Sequence, residues 1–182
     1  ESRGQEFITI NFPEKVISKA ISTVLPLNID TNSKTIQGDI TIINISELQL
    51  IDKHLICRLH LAGNNLALVT EIAGHDIRLK VGSVKVDFKT NSAVRFDRKS
   101  QTLYIKPVVE NAKSGSNTDI GQALVALLNG REFPISMKKL DPMIAETGSK
   151  TLTINTSIAN IEAKTKAIQL SLIPTITTGT KT

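Results

Sequence analysis

The chain has 182 residues and a formal net charge of +5; 40% of its residues are hydrophobic but only 3% aromatic, with one cysteine and no tryptophan. That length supports one core without a structural metal, and the lone Cys57 excludes an intramolecular disulfide, so the interior must be filled mainly by Ile, Leu and Val. The charge favours anionic surfaces weakly, but Arg95, Arg98, Lys138, Lys139, Lys164 and Lys166 are dispersed and stacking aromatics are scarce, so no nucleic-acid partner is expected.

Residues 7–12 alternate as a strand, and Pro13 with Glu14 then opens a helix over 13–25. Val16, Ile17, Ala20, Ile21, Val24 and Leu25 recur at three and four residues and draw one apolar stripe, which Pro26 ends. That stripe suits either a core-facing surface or the lining of a ligand cavity.

From Thr35 to Ala62 the pattern is that of strands, with Ile40 and Ile42 in one parity and Ile43 and Ile45 in the other, a change that calls for a bulge or a strand covered on both faces. Asp52 and Lys53 break this region into two arms, and Gly63, Asn64 and Asn65 are expected to end the second arm in a turn. Leu55, Cys57, Leu59 and Leu61 form the buried side of that arm, which makes Cys57 a packing thiol.

Residues 66–73 fit strand or helix. Over 77–89 a strand is clear, and its parity flips after Gly82 and Ser83, as at a bulge or sharp bend. Val94 and Phe96 are set to face Leu103 and Ile105 in a hairpin. A polar loop over 112–117 precedes a second helix over 119–129, with Asp119 and Gln122 in a capping arrangement, Ile120, Ala123, Leu124, Leu127 and Leu128 on its apolar face, and Gly130 past its end. Linkers at Pro134 and Pro142 lead to a last hairpin, which pairs Leu152, Ile154 and Ile158 with Ile168, Leu170 and Leu172 and turns near Glu162 to Lys164. Residues 1–5 and 177–182 read as flexible tails on a single domain spanning 1–182.

Local motifs for chemistry are lacking. His54, His60 and His75 stand at unrelated spacings, no His or Cys pair has zinc-ligand separation, and neither a phosphate loop nor a nucleophile elbow is present. His60 shares a strand face with Arg58 opposite the apolar set, so it reads as a solvated surface residue. Asp76, Asp87, Asp97 and His75 lie on separate segments that only a fold can join. No metal, cofactor or enzymatic activity is expected on these grounds.

The order of elements, carried by ITIINISELQLIDKHLICRLHLAG (40–63), LVALLNGREFPISMKKLDP (124–142) and TLTINTSIANI (151–161), resembles the tubular lipid-binding superfamily, in particular the YceB-like bacterial envelope lipoproteins. The resemblance implies an α+β fold in which a highly curved antiparallel sheet or half-barrel wraps around two amphipathic helices and encloses an elongated aliphatic cavity. It further implies a non-enzymatic binder or carrier of lipid or fatty-acid-like ligands on the periplasmic side of a bacterial envelope; the net positive charge adds an anionic membrane surface as an expected further partner. Tethering would run through a lipidated cysteine preceding Glu1, since Cys57 is mid-chain. The expected lining is Val16, Ala20, Val24, Leu59, Leu61, Val84, Val86, Leu124 and Leu128. An envelope scaffold whose interior is filled by its own side chains needs the same apolar pattern, so the two alternatives stand together here.

Overall fold

Alternation of apolar and polar side chains builds strands, and in this chain the alternating runs are long. A computed structural model describes residues 6–31, 33–110 and 119–180. Its longest elements are β3 (Ile36–Ile51), β4 (His54–Ile72) and β5 (His75–Asp97), three successive antiparallel strands joined by tight turns. Around them lie β1 (Ile8–Pro13), helix α1 (Glu14–Val24), β2 (Leu27–Ile29), β6 (Thr102–Val109), helix α2 (Asp119–Leu128), β7 (Phe133–Ser136), β8 (Met143–Thr147), β9 (Lys150–Lys164) and β10 (Ala167–Thr180).

The strands form two antiparallel sheets, each curled into a half-barrel. Sheet A has the order β1-β10-β9-β8, and sheet B has the order β2-β3-β4-β5-β6-β7. Curling over such lengths requires local breaks in the ladders, and bulges supply them. In β3 the register shifts between Ile42 and Asn44, where the sequence changes parity, so Ile42 and Ile45 both reach the inner face while Ile43 is turned outward. Between Gly63 and Leu66, opposite Gly82, the β4–β5 ladder shifts again. Gly82 takes φ +86, which glycine adopts without a Cβ penalty.

That second bulge corrects one expectation: Gly63 to Asn65 do not end a strand. Asn65 takes a left-handed φ of 53, which asparagine tolerates, and β4 runs on to Ile72 before turning at Ala73 and Gly74. Of residues 66–73, the stretch 66–72 is thereby strand and Ala73 begins the turn. The turn of the closing hairpin is at Thr165 and Lys166, beyond the predicted Glu162 to Lys164: β9 runs on to Lys164, which pairs directly with Ala167 at the start of β10. Thr177–Thr180, expected as tail, extend β10 along Lys150–Thr153. Pro134 belongs to edge strand β7, where a missing N–H is tolerated, and Met143–Thr147 pair with β9 instead of forming a linker. The predicted tail 1–5 and the loop 112–117 fall outside the described residues.

The inner faces carry the core. On sheet B, Ile36, Ile40, Leu61, Leu66, Phe88 and Val109 pack against Ile120, Leu124, Val125, Leu127 and Leu128 of α2, which closes that half-barrel. On sheet A, Ile158, Ile161, Ala163 and Leu172 meet Val94, Phe96, Leu103 and Leu50 of sheet B. α2 ends as predicted, with Gly130 at φ +74. α1 ends at Val24 because Leu25, preceding Pro26, is extended. No buried residue lies on α1; Ile17 and Ile21 are half-buried, whereas Val16, Ala20 and Val24 on the other edge of the stripe face solvent. No helix among the described residues is long and apolar enough to cross a membrane.

Candidate functional site

Sheet A continues past the region that sheet B covers. Its inner face runs from buried Ile158 and Leu172, which are cross-strand partners, through Thr156 and Pro174 to the row Met143, Ile154 and Ile176. All share one face because strand side chains alternate with period two. Along this row burial is lost: Met143 and Ile176 are 67% and 63% exposed. The opposite face carries Asn155, Thr153, Thr175 and Thr177 with one strongly exposed aliphatic side chain, Ile144, so the uncovered inner face is the more apolar of the two.

Where coverage ends, a cleft of about 450 Å³ opens between the sheets, lined by Gln101, Met137, Lys138, Lys139, Leu140, Thr156, Ser157 and Ile158. Its wall from sheet B is built by the turn after β5 and the segment after β7. Gln101, in a left-handed backbone conformation (φ 51), donates from Nε2 to the carbonyls of Arg98 and Ile158, and its own carbonyl accepts from the Met137 N–H at 2.9 Å. One side chain thus ties the two sheets together at the base of the cleft. Met137 packs on Ile158, Ile161 and Leu172, while Lys138, Lys139 and Leu140 are exposed at the mouth. The lining is therefore graded, with sulfur and aliphatic carbon at the bottom and two ammonium groups at the rim.

The nine residues expected to line a cavity do not converge as one group. Leu61, Leu124 and Leu128 are buried in a single cluster, and Leu59, Val84 and Val86 pack against it. Val16, Ala20 and Val24 are on the solvent side of α1 and take no part. The stripe on α1 is wider than the strip that the sheets can cover, and spacing cannot tell which edge is turned inward. Cleft residues Met137, Leu140 and Ile158 are not marked by spacing because they lie on two separate stretches, the Met-Lys-Lys-Leu run at 137–140 and the strand around Ile158, with no shared periodicity.

Cys57 occupies the buried position expected of it, beside Thr90, whose hydroxyl donates to the Cys57 carbonyl at 3.2 Å. Burial raises the thiol pKa above its ordinary range, and the side-chain hydrogen bond to Thr90 opposes that only in part. This cysteine is held as a thiol, away from nucleophilic chemistry. No group of three or more metal-binding side chains occurs among the described residues.

His60 lies with Arg58 on the convex face of sheet B, opposite the apolar set as expected, but it is only partly solvated and is hydrogen-bonded on both sides. The ring is sandwiched between neighbouring strands, with Nε2 2.8 Å from Ser46 Oγ on β3 and Nδ1 2.7 Å from Asp87 Oδ1 on β5. Asp87 lies directly across from His60, whereas Ser46 is one diagonal step away, opposite Arg58. Their separations along the chain, 14 and 27 residues, give no local motif, which is why the sequence conceals the cluster.

No family model, curated protein or solved structure matches this chain. The functional reading therefore rests on the geometry of the cleft and of the inner sheet faces.

Proposed function

We propose that this protein binds or carries a lipid-like amphiphile, with its aliphatic part laid along the inner face of sheet A and its polar end at the lysine rim of the cleft. The observation that carries the reading is the continuity of one apolar face, from the cleft floor at Ile158 out to Met143, Ile154 and Ile176. Removing that surface from water would drive binding at about 25 cal/mol per Å² of apolar area, without demanding a particular headgroup. Lys138 and Lys139 favour an anionic one. Binding of this kind needs no covalent step, and a ligand of this chemistry is consistent with the likeness in element order to tubular lipid binders of the bacterial envelope. The periplasmic location and the lipid tether belong to the same proposal.

A filled scaffold is the second reading, favoured by the way Leu61, Leu124, Leu128 and their neighbours occupy the half-barrel of sheet B themselves. The two readings separate in one experiment. Protein purified without detergent is examined by native mass spectrometry and organic extraction, then titrated with a fluorescent fatty acid. The binding reading expects a co-purified or readily taken up aliphatic ligand, an affinity reduced at least tenfold by Met137→Trp, and none of that loss in Val24→Trp. Folded protein that carries no lipid and takes up neither fatty acid nor phospholipid would establish the scaffold instead.

A further inference from the structure

The hydrogen-bonding logic of the Ser46, His60 and Asp87 cluster fixes the direction of its protons. A carboxylate only accepts, so the 2.7 Å contact from Asp87 Oδ1 places the imidazole hydrogen on Nδ1. In the neutral ring Nε2 is then an acceptor, and the Ser46 hydroxyl 2.8 Å away must donate to it. This is the polarity that activates a serine nucleophile: the acid orients the ring by one nitrogen, and the other nitrogen takes the hydroxyl proton.

Three further features surround Ser46. The ladder between β3 and β4 breaks immediately after it, so Glu47 and Leu48 lie outside the paired register. Glu47 holds a left-handed φ of 53, a conformation that costs a non-glycine residue energy and that gathers at functional sites together with bulges. Arg58, directly opposite Ser46 in register, is turned toward the bulge, its Nε 3.5 Å from Glu47 Oε2. A guanidinium there can stabilise negative charge developing on an atom bonded to Ser46.

We infer that Ser46 is a nucleophile towards carboxylic esters, with His60 as its general base and Asp87 as the residue that positions the imidazole. Ser46 Oγ forms a bond to the ester carbonyl carbon while its proton passes to His60 Nε2. The carbon–oxygen bond to the alcohol breaks, and the departing alkoxide takes that proton. Water, deprotonated by the same nitrogen, then attacks the acyl-serine, releases the carboxylic acid and returns the proton to Ser46. The cluster is on an open convex face, with Asp87 more than half exposed, so small esters with good leaving groups are its substrates. This inference is independent of the lipid-binding reading, because the inner sheet face has no part in it.

The test uses the full chain with an alkyl fluorophosphonate as trapping reagent and p-nitrophenyl butyrate as substrate, alongside Ser46→Ala, His60→Gln, His60→Ala and Asp87→Asn. Circular dichroism and urea midpoints establish that each variant is folded. The expected result is a single phosphonyl adduct on the Ser46 peptide, abolished in Ser46→Ala. In His60→Gln the rate is expected to fall about 10²-fold or more, the range of general-base catalysis. Asp87→Asn should lose less, and added imidazole should partly restore turnover to His60→Ala, which a purely structural histidine would not permit. Absence of an adduct at Ser46, or equal labelling of the wild type and folded His60→Gln, would overturn the inference.

Discussion

Leu66 lies over Gly63 so closely that a Cβ at position 63 would stand 2.3 Å from Leu66 Cδ1. The contact forms inside the bulge that bends β4, and Leu66 is itself buried in the α2 cluster, so its side chain has no free direction in which to retreat. Gly63→Ala is accordingly expected to overpack the bend, at a cost of about 1–3 kcal/mol. Across the same bend, Gly38 has φ +123, and a Cβ there would meet the Asn65 carbonyl oxygen at 2.7 Å. Backbone yields less than a side chain, so Gly38→Ala should lower the urea midpoint at least as far as Gly63→Ala; wild-type midpoints for both would show that the bend is slack.

Cys57 offers a test of inside and outside. A bulky maleimide should label it slowly in the native protein and rapidly in denaturant. Because burial raises the thiol pKa, the folded state keeps its proton at a pH where the unfolded chain has lost it. That contribution to stability is complete below the ordinary thiol range and declines as pH rises from there towards the elevated native value. Cys57→Ala should remove this part of the alkaline decline, measured as a smaller change in urea midpoint between neutral and alkaline pH. An unchanged decline would mean that the thiol is as well solvated in the fold as outside it.

The sequence made the strands legible wherever apolar residues alternate, and it made both helices legible by their three-and-four spacing. The parity flips at Ile42 to Ile45 and at Gly82 carried the bulges, since a bulge is the means by which a strand keeps one face apolar when its count of residues slips by one. What it could not convey was length. Gly63 and the two asparagines have the chemistry of a turn, and only the pairing of Leu66 to Ile72 with His75 to Gly82 turns that chemistry into a bend within β4. The cleft and the Ser46 cluster were hidden for related reasons: the cleft unites residues that only the packing of sheet A on sheet B brings together, and the cluster unites residues whose proximity is set by register between strands, neither of which local spacing records.

The pair Arg95 and Glu132 joins β5 to the segment between α2 and β7. Both guanidinium nitrogens Nε and Nη2 donate to the carboxylate at 3.1 Å, and the guanidinium also stacks 4.1 Å from the centre of the Tyr104 ring. The hydrogen bonds from Arg95 hold the Glu132 carboxyl below the usual carboxylate range. Its contribution is therefore present above that range and is lost as pH falls through the lowered native value. Glu132→Gln should flatten part of the acid-side loss of stability, and raised salt should shrink the difference between variant and wild type because the pair is exposed. Acid titration of urea midpoints at low and high salt measures both; curves that coincide with wild type at every pH would show that the carboxylate gains nothing from Arg95.

Leu124 and Val24 occupy equivalent places in their sequence patterns, each one of several apolar residues on a helical stripe, yet they lie in opposite environments. Leu124 is 1% exposed and enclosed by Ile36, Ile40, Leu61 and Leu66, whereas Val24 is 62% exposed at the end of α1. Leu124→Ala removes methyl groups from a filled site that cannot fully collapse, so its expected cost is about 2–5 kcal/mol. Val24→Ser replaces a side chain already surrounded largely by water, and a change within about 0.5 kcal/mol is expected. Urea unfolding of both variants decides the matter. A large loss for Val24→Ser would mean that α1 turns its other edge inward and that Val16, Ala20 and Val24 belong to the interior after all. A small loss for Leu124→Ala would mean that α2 only rests on sheet B, leaving its half-barrel open to a ligand.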